Sequence, residues 1–174
     1  IHAGAGGTGQ LLCQWANALG ARVIATVGSP EKVEIAKKAG ARDVILYNEE
    51  NFVERVRDIT HGKLCDVVYD GVGRATFPAS LDCLRPMGMF VSFGSASGPI
   101  DAFDIGLLTL KGSLYVTRPS LFTYIAKRKD YEAMAEDLFN AIKRGHVTIE
   151  EPQAFPLAQA RAVHEALESR RTAG

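Results

Sequence analysis

The chain opens with Ile1 and the glycine-rich stretch His2-Ala3-Gly4-Ala5-Gly6-Gly7-Thr8-Gly9, which runs into an apolar repeat with helical spacing. Its glycines at positions 4, 6 and 9 follow the pattern G-x-G-x-x-G. In a strand-to-helix turn, the first glycine permits a tight bend, the second lets a pyrophosphate approach the backbone, and the third lets the helix pack closely. The N-terminus of the helix offers unpaired N–H groups and a positive dipole end to the phosphates. Since glycine-rich turns are common, the prediction of a dinucleotide site depends on the strands and helices C-terminal to the turn.

Short apolar strands and amphipathic helices alternate after this turn. Strands are predicted at 22–27, 43–47, 65–70, 89–93 and 112–117, and helices at 11–19, 30–39, 51–59, 76–84, 130–144 and 157–169. Parallel strands need crossover connections, and right-handed crossovers place helices on both sides of the sheet. The pattern therefore predicts an α/β fold, a Rossmann-type doubly wound parallel sheet with helices on both faces, in one domain over residues 1–174.

The bulk composition narrows the classes of partner. A chain of 174 residues with 47% hydrophobic residues suits a single buried core, and a formal net charge of zero argues against a nucleic-acid or anionic-membrane partner. No apolar run has the length of a membrane span. Cys13, Cys65 and Cys83 are widely spaced, and the histidines show no ligand spacing. We therefore expect reduced cysteines, no metal site and a cytoplasmic location.

The end of the second strand bears on the choice of nucleotide. NAD-binding folds commonly carry an acidic residue there for the ribose 2′-hydroxyl, but the segment 25–29 contains no carboxylate. Ser29 and Lys32 instead lie where a 2′-phosphate would be held, which favours NADPH. The alternative is that Ser29 only caps the next helix and Lys32 is a solvated first-turn residue.

Other candidates lie at the carboxyl ends of the strands, where ligands bind in such sheets. They include Tyr47, which could pack on adenine, and Gly94, where backbone could approach the nicotinamide. Asp70 is expected to cap the turn after its strand. The sequence shows no nucleophile elbow, Cys–His pair or metal cluster, so no catalytic residue is predicted; the nicotinamide itself would carry hydride transfer.

Six blocks of this sequence, at 2–9, 13–16, 67–73, 80–84, 91–94 and 111–119, resemble the zinc-free NADPH:quinone oxidoreductases. That family includes the zeta-crystallin-like proteins and belongs to the medium-chain dehydrogenase/reductase superfamily. The resemblance implies an intracellular homodimer that reduces quinones or related electrophilic carbonyls with NADPH. It also implies pairing of subunits through the edge strand near Gly112 to Val116.

Carried onto this chain, the family's cofactor-binding positions form one set. Its members are Gly6, Gly7, Thr8, Gly9, Gly28, Ser29, Lys32, Tyr47, Val72, Gly94, Ser95, Ala96, Ser97, Pro119, Ser120, Leu121 and Arg170. Two positions depart from the family pattern. Thr8 replaces the usual valine, and Gly71 replaces the usual serine, which removes one possible hydroxyl contact.

Family members also carry an N-terminal GroES-like catalytic domain and a final C-terminal strand, so we expect this chain to be a fragment that lacks both and is inactive alone. A glycine turn of this kind normally follows a strand, and only Ile1 and His2 precede it here. This also favours a fragment of a longer protein. Two alternatives stay open. One is an NADPH-dependent enoyl or alkenal double-bond reductase of the same superfamily. The other is a non-catalytic, crystallin-like or RNA-associated NADPH-binding protein.

Overall fold

The computed structural model describes residues 1–151 and 154–168. The strands are β1 Ile24–Val27, β2 Asp43–Leu46, β3 Cys65–Asp70, β4 Leu84–Ser92 and β5 Tyr115–Thr117. The α-helices are α1 Gly7–Ala18, α2 Glu31–Lys38, α3 Phe52–Ile59, α4 Gly106–Leu110, α5 Leu121–Tyr124, α6 Arg128–Lys143 and α7 Ala160–Glu168. Short 3-10 helices cover Ala79–Cys83 and Leu157–Gln159.

The strands form two parallel groups that the first residues of the chain join. β1 pairs with β2, and β4 lies between β3 and β5. Thr26 donates its backbone N–H to the carbonyl of Ile1 at 3.0 Å, while His2 donates its own to Tyr69 of β3, also at 3.0 Å. The order across the sheet is therefore β2, β1, the N-terminal residues, β3, β4 and β5. The predicted α/β Rossmann-type fold is confirmed.

Helices cover both faces of the β1–β2 part of the sheet. Alternate strand residues point to opposite faces, so neighbouring residues of one strand pack against different helices. Ile24 and Ile45 belong to a core that includes Val56 of α3. Ala25 belongs to a second core, with Cys13 of α1 and Ala36 of α2. All four residues of β1 are buried, as expected for a strand covered on both faces.

The predicted helix at 11–19 begins earlier, at Gly7, and the one at 157–169 starts as the 3-10 helix Leu157–Gln159, but the main differences from the predicted elements concern three other segments. The helix expected at 76–84 is wrong; this segment forms only the 3-10 helix Ala79–Cys83, because Pro78 has no N–H to donate within a helix. β4 begins at Leu84 instead of 89. β5 is restricted to Tyr115–Thr117, since Gly112 and Ser113 take positive φ angles of 109° and 58° that break an extended strand.

A groove of about 820 Å³ lies between β1 and β3. Its walls are largely apolar and include Ile24, Phe52, Val56 and Val68. Ile1 is also part of the lining, and its α-ammonium donates to the carbonyl of Ile24 at 2.8 Å. In residues 1–151 and 154–168, no helix combines the length and apolar character that a membrane crossing requires.

Candidate functional site

The glycine turn leads into α1 with its backbone open to a ligand. Gly6 is the N-cap of α1 and has no side chain that could accept from the N–H groups of the first turn. A β-carbon at Gly4 would lie 2.6 Å from Cβ of Ala25, and one at Gly9 would overlap the carbonyl oxygen of Ala3. The turn therefore packs tightly against β1 while its helix N-terminus remains available to an anion.

The ends of β1 and β2 form a second part of the site. A β-carbon at Gly28 would lie 2.5 Å from Tyr47 Oη, so only glycine lets the tyrosine lie against the end of β1. The side-chain amide of Asn48 also contacts the residue after β1, because it donates to the carbonyl of Gly28 at 2.7 Å. Tyr47 keeps 39% of its surface exposed, which leaves its ring accessible to a ligand.

Ser29 Oγ is buried and has no hydrogen-bond partner among the residues that the structure describes. Glu31 lies beside it in the first turn of α2. The pKa of the Glu31 carboxyl is below its ordinary value because its own backbone N–H stabilises the anion, with smaller contributions from the nearby Ser29 hydroxyl and from Lys32.

The turn after β3 is fixed by Asp70, which is fully buried. Its Oδ1 accepts from the backbone N–H groups of Val72 at 2.6 Å and Gly73 at 3.0 Å. Its Oδ2 accepts from Thr76 Oγ1 at 2.6 Å. The expectation that Asp70 caps this turn is confirmed.

The loop after β4 rests directly on the loop after β3. A β-carbon at Gly94 would lie 2.6 Å from the carbonyl oxygen of Gly71. Ser97 Oγ donates to the carbonyl of Val72 at 2.8 Å and accepts from the N–H of Ala75 at 2.9 Å. The Ser97 hydroxyl is thus engaged within the fold.

A buried chain of hydrogen bonds links the glycine turn to the end of β3. Thr26 Oγ1 lies 3.0 Å from His2 Nδ1, and His2 Nε2 lies 2.9 Å from Ser80 Oγ. Ser80 Oγ in turn lies 3.0 Å from the carbonyl of Thr76 and 3.4 Å from Asp70 Oδ2. Since these last two groups are acceptors, the Ser80 proton is used there, and Ser80 must accept from His2 Nε2–H. His2 Nδ1 then accepts from Thr26, which fixes the tautomer of the ring.

This burial also sets the protonation of His2. Its pKa is lowered from 6.5 to about 4, chiefly by desolvation and further by the nearby Ile1 ammonium, while Asp70 acts in the opposite direction. The imidazole is therefore neutral at physiological pH and acts as part of the framework. It also packs edge-on against the ring of Phe52, with centroids 5.1 Å apart.

The three cysteines are free thiols, as expected. Burial raises the pKa of all three, that of Cys83 to about 12, so they are protonated at neutral pH and poor nucleophiles. Across residues 1–151 and 154–168, no group of His, Cys, Asp and Glu is arranged to hold a metal ion.

The structure brings most of the predicted residues to one edge of the sheet, at the carboxyl ends of the strands. The glycine turn carries Gly6, Gly7, Thr8 and Gly9; the ends of β1 and β2 and the start of α2 carry Gly28, Ser29, Lys32 and Tyr47; the loops after β3 and β4 carry Val72, Gly94, Ser95, Ala96 and Ser97; and Pro119, Ser120 and Leu121 follow β5. Arg170 lies outside the described residues.

Sequence reasoning missed several residues that shape this edge. Asn48, His2 and Ser80 are polar residues whose partners lie far away along the chain, so no local pattern indicates them. Arg118 precedes the predicted segment Pro119 to Leu121, and its contacts with β4 likewise give no signal in the sequence. Glu31 could have been noticed, since it lies between Ser29 and Lys32 in sequence.

Comparison with known proteins gives consistent results. The family model described as "Zinc-binding dehydrogenase" matches residues 7–140. A quinone oxidoreductase of Pseudomonas aeruginosa is 51% identical over 174 residues, covering 100% of this chain and 54% of that protein. A 2-haloacrylate reductase of a Burkholderia species is 44% identical and is covered to 53%.

Among solved structures, the quinone oxidoreductase of Escherichia coli complexed with NADPH superposes with a TM-score of 0.94 at 50% identity. That match covers 99% of this chain and 54% of the solved chain. The chain thus spans about half the length of the relatives it matches.

Proposed function

Because the chain belongs to the zinc-binding dehydrogenase family, we propose that it is the NADPH-binding domain of an oxidoreductase that transfers reducing equivalents from NADPH to quinones. The relatives named quinone oxidoreductases support the quinone as acceptor. A cytoplasmic location is part of the same proposal, supported by the free thiols.

The observation that carries the cofactor assignment is the uncapped N-terminus of α1, where Gly6 has no side chain to occupy the N–H groups of the first turn. At the end of β1, a 2′-phosphate would accept from the Ser29 hydroxyl in place of the Glu31 carboxylate, and the ammonium of Lys32 in α2 would offset its charge. The open N-terminus of α1 would hold the pyrophosphate, and Tyr47 would pack on the adenine. The residues present therefore fit NADPH, which when bound supplies the hydride.

The loops after β3, β4 and β5 would then hold the nicotinamide half. Their contribution is backbone and small side chains, which suits close approach of a flat ring. The protein's part in the chemistry is to orient this half and to keep it against an acceptor.

A second acceptor class is an activated carbon–carbon double bond. Similarity to the 2-haloacrylate reductase, at 44% identity over the whole chain, favours it. A panel of quinones, enals and 2-haloacrylates offered to the intact protein with NADPH separates the two. Quinone turnover faster than turnover of both alkene classes supports the first assignment.

We also propose that this chain is one domain of a longer protein. A segment N-terminal to Ile1 would occupy the groove between β1 and β3 as a further strand, and a GroES-like catalytic domain would precede it. The apolar walls of the groove and the coverage of about half of each relative support this.

A homodimer through β5 is the remaining part of the proposal. β5 is an outer strand, paired on one side with β4, and its residues Tyr115 and Val116 are 59% and 38% exposed. Exposed apolar edge strands favour pairing with a second copy. Sedimentation of a Val116→Lys variant as a monomer, against a dimeric wild type, would support it.

The nucleotide preference is tested by Lys32→Glu. Replacing an attractive charge by a repulsive one should raise the Kd for NADPH by about tenfold or more. The Kd for NADH should stay within about twofold of wild type, since NADH has no 2′-phosphate. Fluorescence titration with each reduced nucleotide measures both constants. Lys38→Glu, the same charge change at the far end of α2, is the matched control. Equal binding of NADH and NADPH by the wild type would refute the assignment.

A further inference from the structure

Arg118 follows β5 and extends back to the end of β4. Its Nη1 lies 2.8 Å from Ser92 Oγ, 3.1 Å from the carbonyl oxygen of Gly94 and 3.5 Å from the carbonyl oxygen of Ser92. Ser92 is buried, and all three acceptors are neutral groups at or just beyond the end of one strand. The guanidinium thus connects the segment after β5 with the loop after β4.

The loop that starts at Gly94 is held from two directions. On one side its backbone lies against Gly71, where a β-carbon at Gly94 would be 2.6 Å from the Gly71 carbonyl oxygen. On the other side Arg118 donates to the Gly94 carbonyl. Without the arginine, the contact with Gly71 would still block one direction of movement, but the charge-assisted hydrogen bonds that hold the loop toward β5 would be lost.

We infer that Arg118 is a positioning residue for the nicotinamide half of the cofactor. It sets the loop after β4 and the segment Pro119 to Leu121 at a fixed separation, so that both contact the same ligand. This rests on the proposed NADPH site. The adenine half is held by the ends of β1 and β2, whereas the hydrogen bonds of Arg118 go to the end of β4.

The two halves of the cofactor provide the test. Arg118→Met keeps an unbranched side chain as far as the position of Nε but removes the guanidinium, and with it the charge and the donors. It should raise the Kd for NADPH about tenfold, because charge-assisted hydrogen bonds that order the site are lost. Adenosine 2′,5′-bisphosphate, which has the adenine, ribose and 2′-phosphate but no nicotinamide, should bind within about twofold of wild type.

Arg118→Lys provides a rescue that a general packing role would not predict. Since one terminal nitrogen makes all three contacts, a lysine ammonium, which is one bond shorter but carries three protons, can donate to the same acceptors after a small shift. Its Kd for NADPH should return to within about threefold of wild type. Arg128→Met, which removes an exposed arginine paired with Glu132, is the matched control for the loss of a surface charge.

Calorimetric titration of each variant with NADPH and with the bisphosphate yields all the constants. The inference is overturned if Arg118→Met binds NADPH as wild type does, if it loses affinity for the bisphosphate to the same extent, or if lysine fails to restore binding. Failure of the wild type to bind either ligand would instead refute the proposed function, so the two failures are distinguishable.

Discussion

Acidification from pH 7 to pH 5 should weaken the fold in part through His2, beside the buried Ile1 amino group, whose pKa is also lowered by desolvation. The imidazole is buried, and its pKa is lowered from 6.5 to about 4. Between these values the unfolded chain binds a proton that the folded chain excludes, so the free energy of unfolding falls as the pH falls. The contribution is fully present above pH 6.5 and is lost progressively down to about pH 4.

The expected size follows from the two pKa values. Each unit of difference corresponds to about 1.4 kcal/mol, and the linkage relation then assigns a loss of about 2 kcal/mol between pH 7 and pH 5. Urea denaturation of wild type and of His2→Gln at several pH values isolates this contribution. Glutamine keeps a donor for Ser80 but does not titrate, so carboxyl groups that also protonate in this range cancel in the comparison.

The deciding quantity is the difference between wild type and His2→Gln in how the free energy of unfolding changes with pH. Wild type should lose about 2 kcal/mol more than His2→Gln over the two units, whatever the absolute stability of the variant. Nuclear magnetic resonance titration of the His2 Cε1–H signal gives the folded-state pKa independently. Parallel stability curves, or a His2 signal that titrates near its ordinary pKa of 6.5, would refute burial as the controlling effect.

Two further predictions concern the glycine turn and a helix cap. Gly9→Ala should destabilise the fold by about 2 kcal/mol or more in thermal melts, because its β-carbon would overlap the Ala3 carbonyl oxygen and the backbone must move. Gly6→Ala is the control, since its β-carbon would meet only a 3.3 Å contact and should cost less stability. Asn51→Ala should cost about 1 kcal/mol in urea titrations, since Asn51 Oδ1 accepts from the N–H of Val53 at 3.0 Å and caps α3; an unchanged midpoint would show that this cap contributes nothing.

Local chemistry explains which elements were predictable from the sequence. The glycine spacing, the β-branched run of β1 and the Asn51 cap each act over a few residues, so they indicate elements directly. The predicted helix at 76–84 failed for one local and one non-local reason. The Thr76 hydroxyl bonds to Asp70 at 2.6 Å, and Pro78 cannot donate, so tertiary contacts replaced the helical ladder there.

The location of the backbone part of the candidate site was predictable from the sequence, and its role in binding stays a prediction. Glycines at strand ends mark close approach, and the structure places them at one edge of the sheet. Side chains that act across the fold were not predictable, because Arg118 and Ser92 are distant in sequence and no period relates them. A long polar side chain beside a predicted site is the signal that could have suggested such a contact.

The buried chain from Thr26 through His2 and Ser80 to Asp70 explains why the residue before the glycine turn matters. An apolar residue of the same size at position 2 would leave the Thr26 and Ser80 hydroxyls without their imidazole partner, and unmet buried groups cost more than a hydrogen bond gains. The neutral imidazole has one donor and one acceptor. Because Ser80 gives its proton to the Thr76 carbonyl and Asp70, the imidazole donates to Ser80 and accepts from Thr26. Since Asp70 also sets the turn after β3, one buried chain supports both the glycine turn and the loop after β3, which would hold the pyrophosphate and nicotinamide parts of the proposed cofactor.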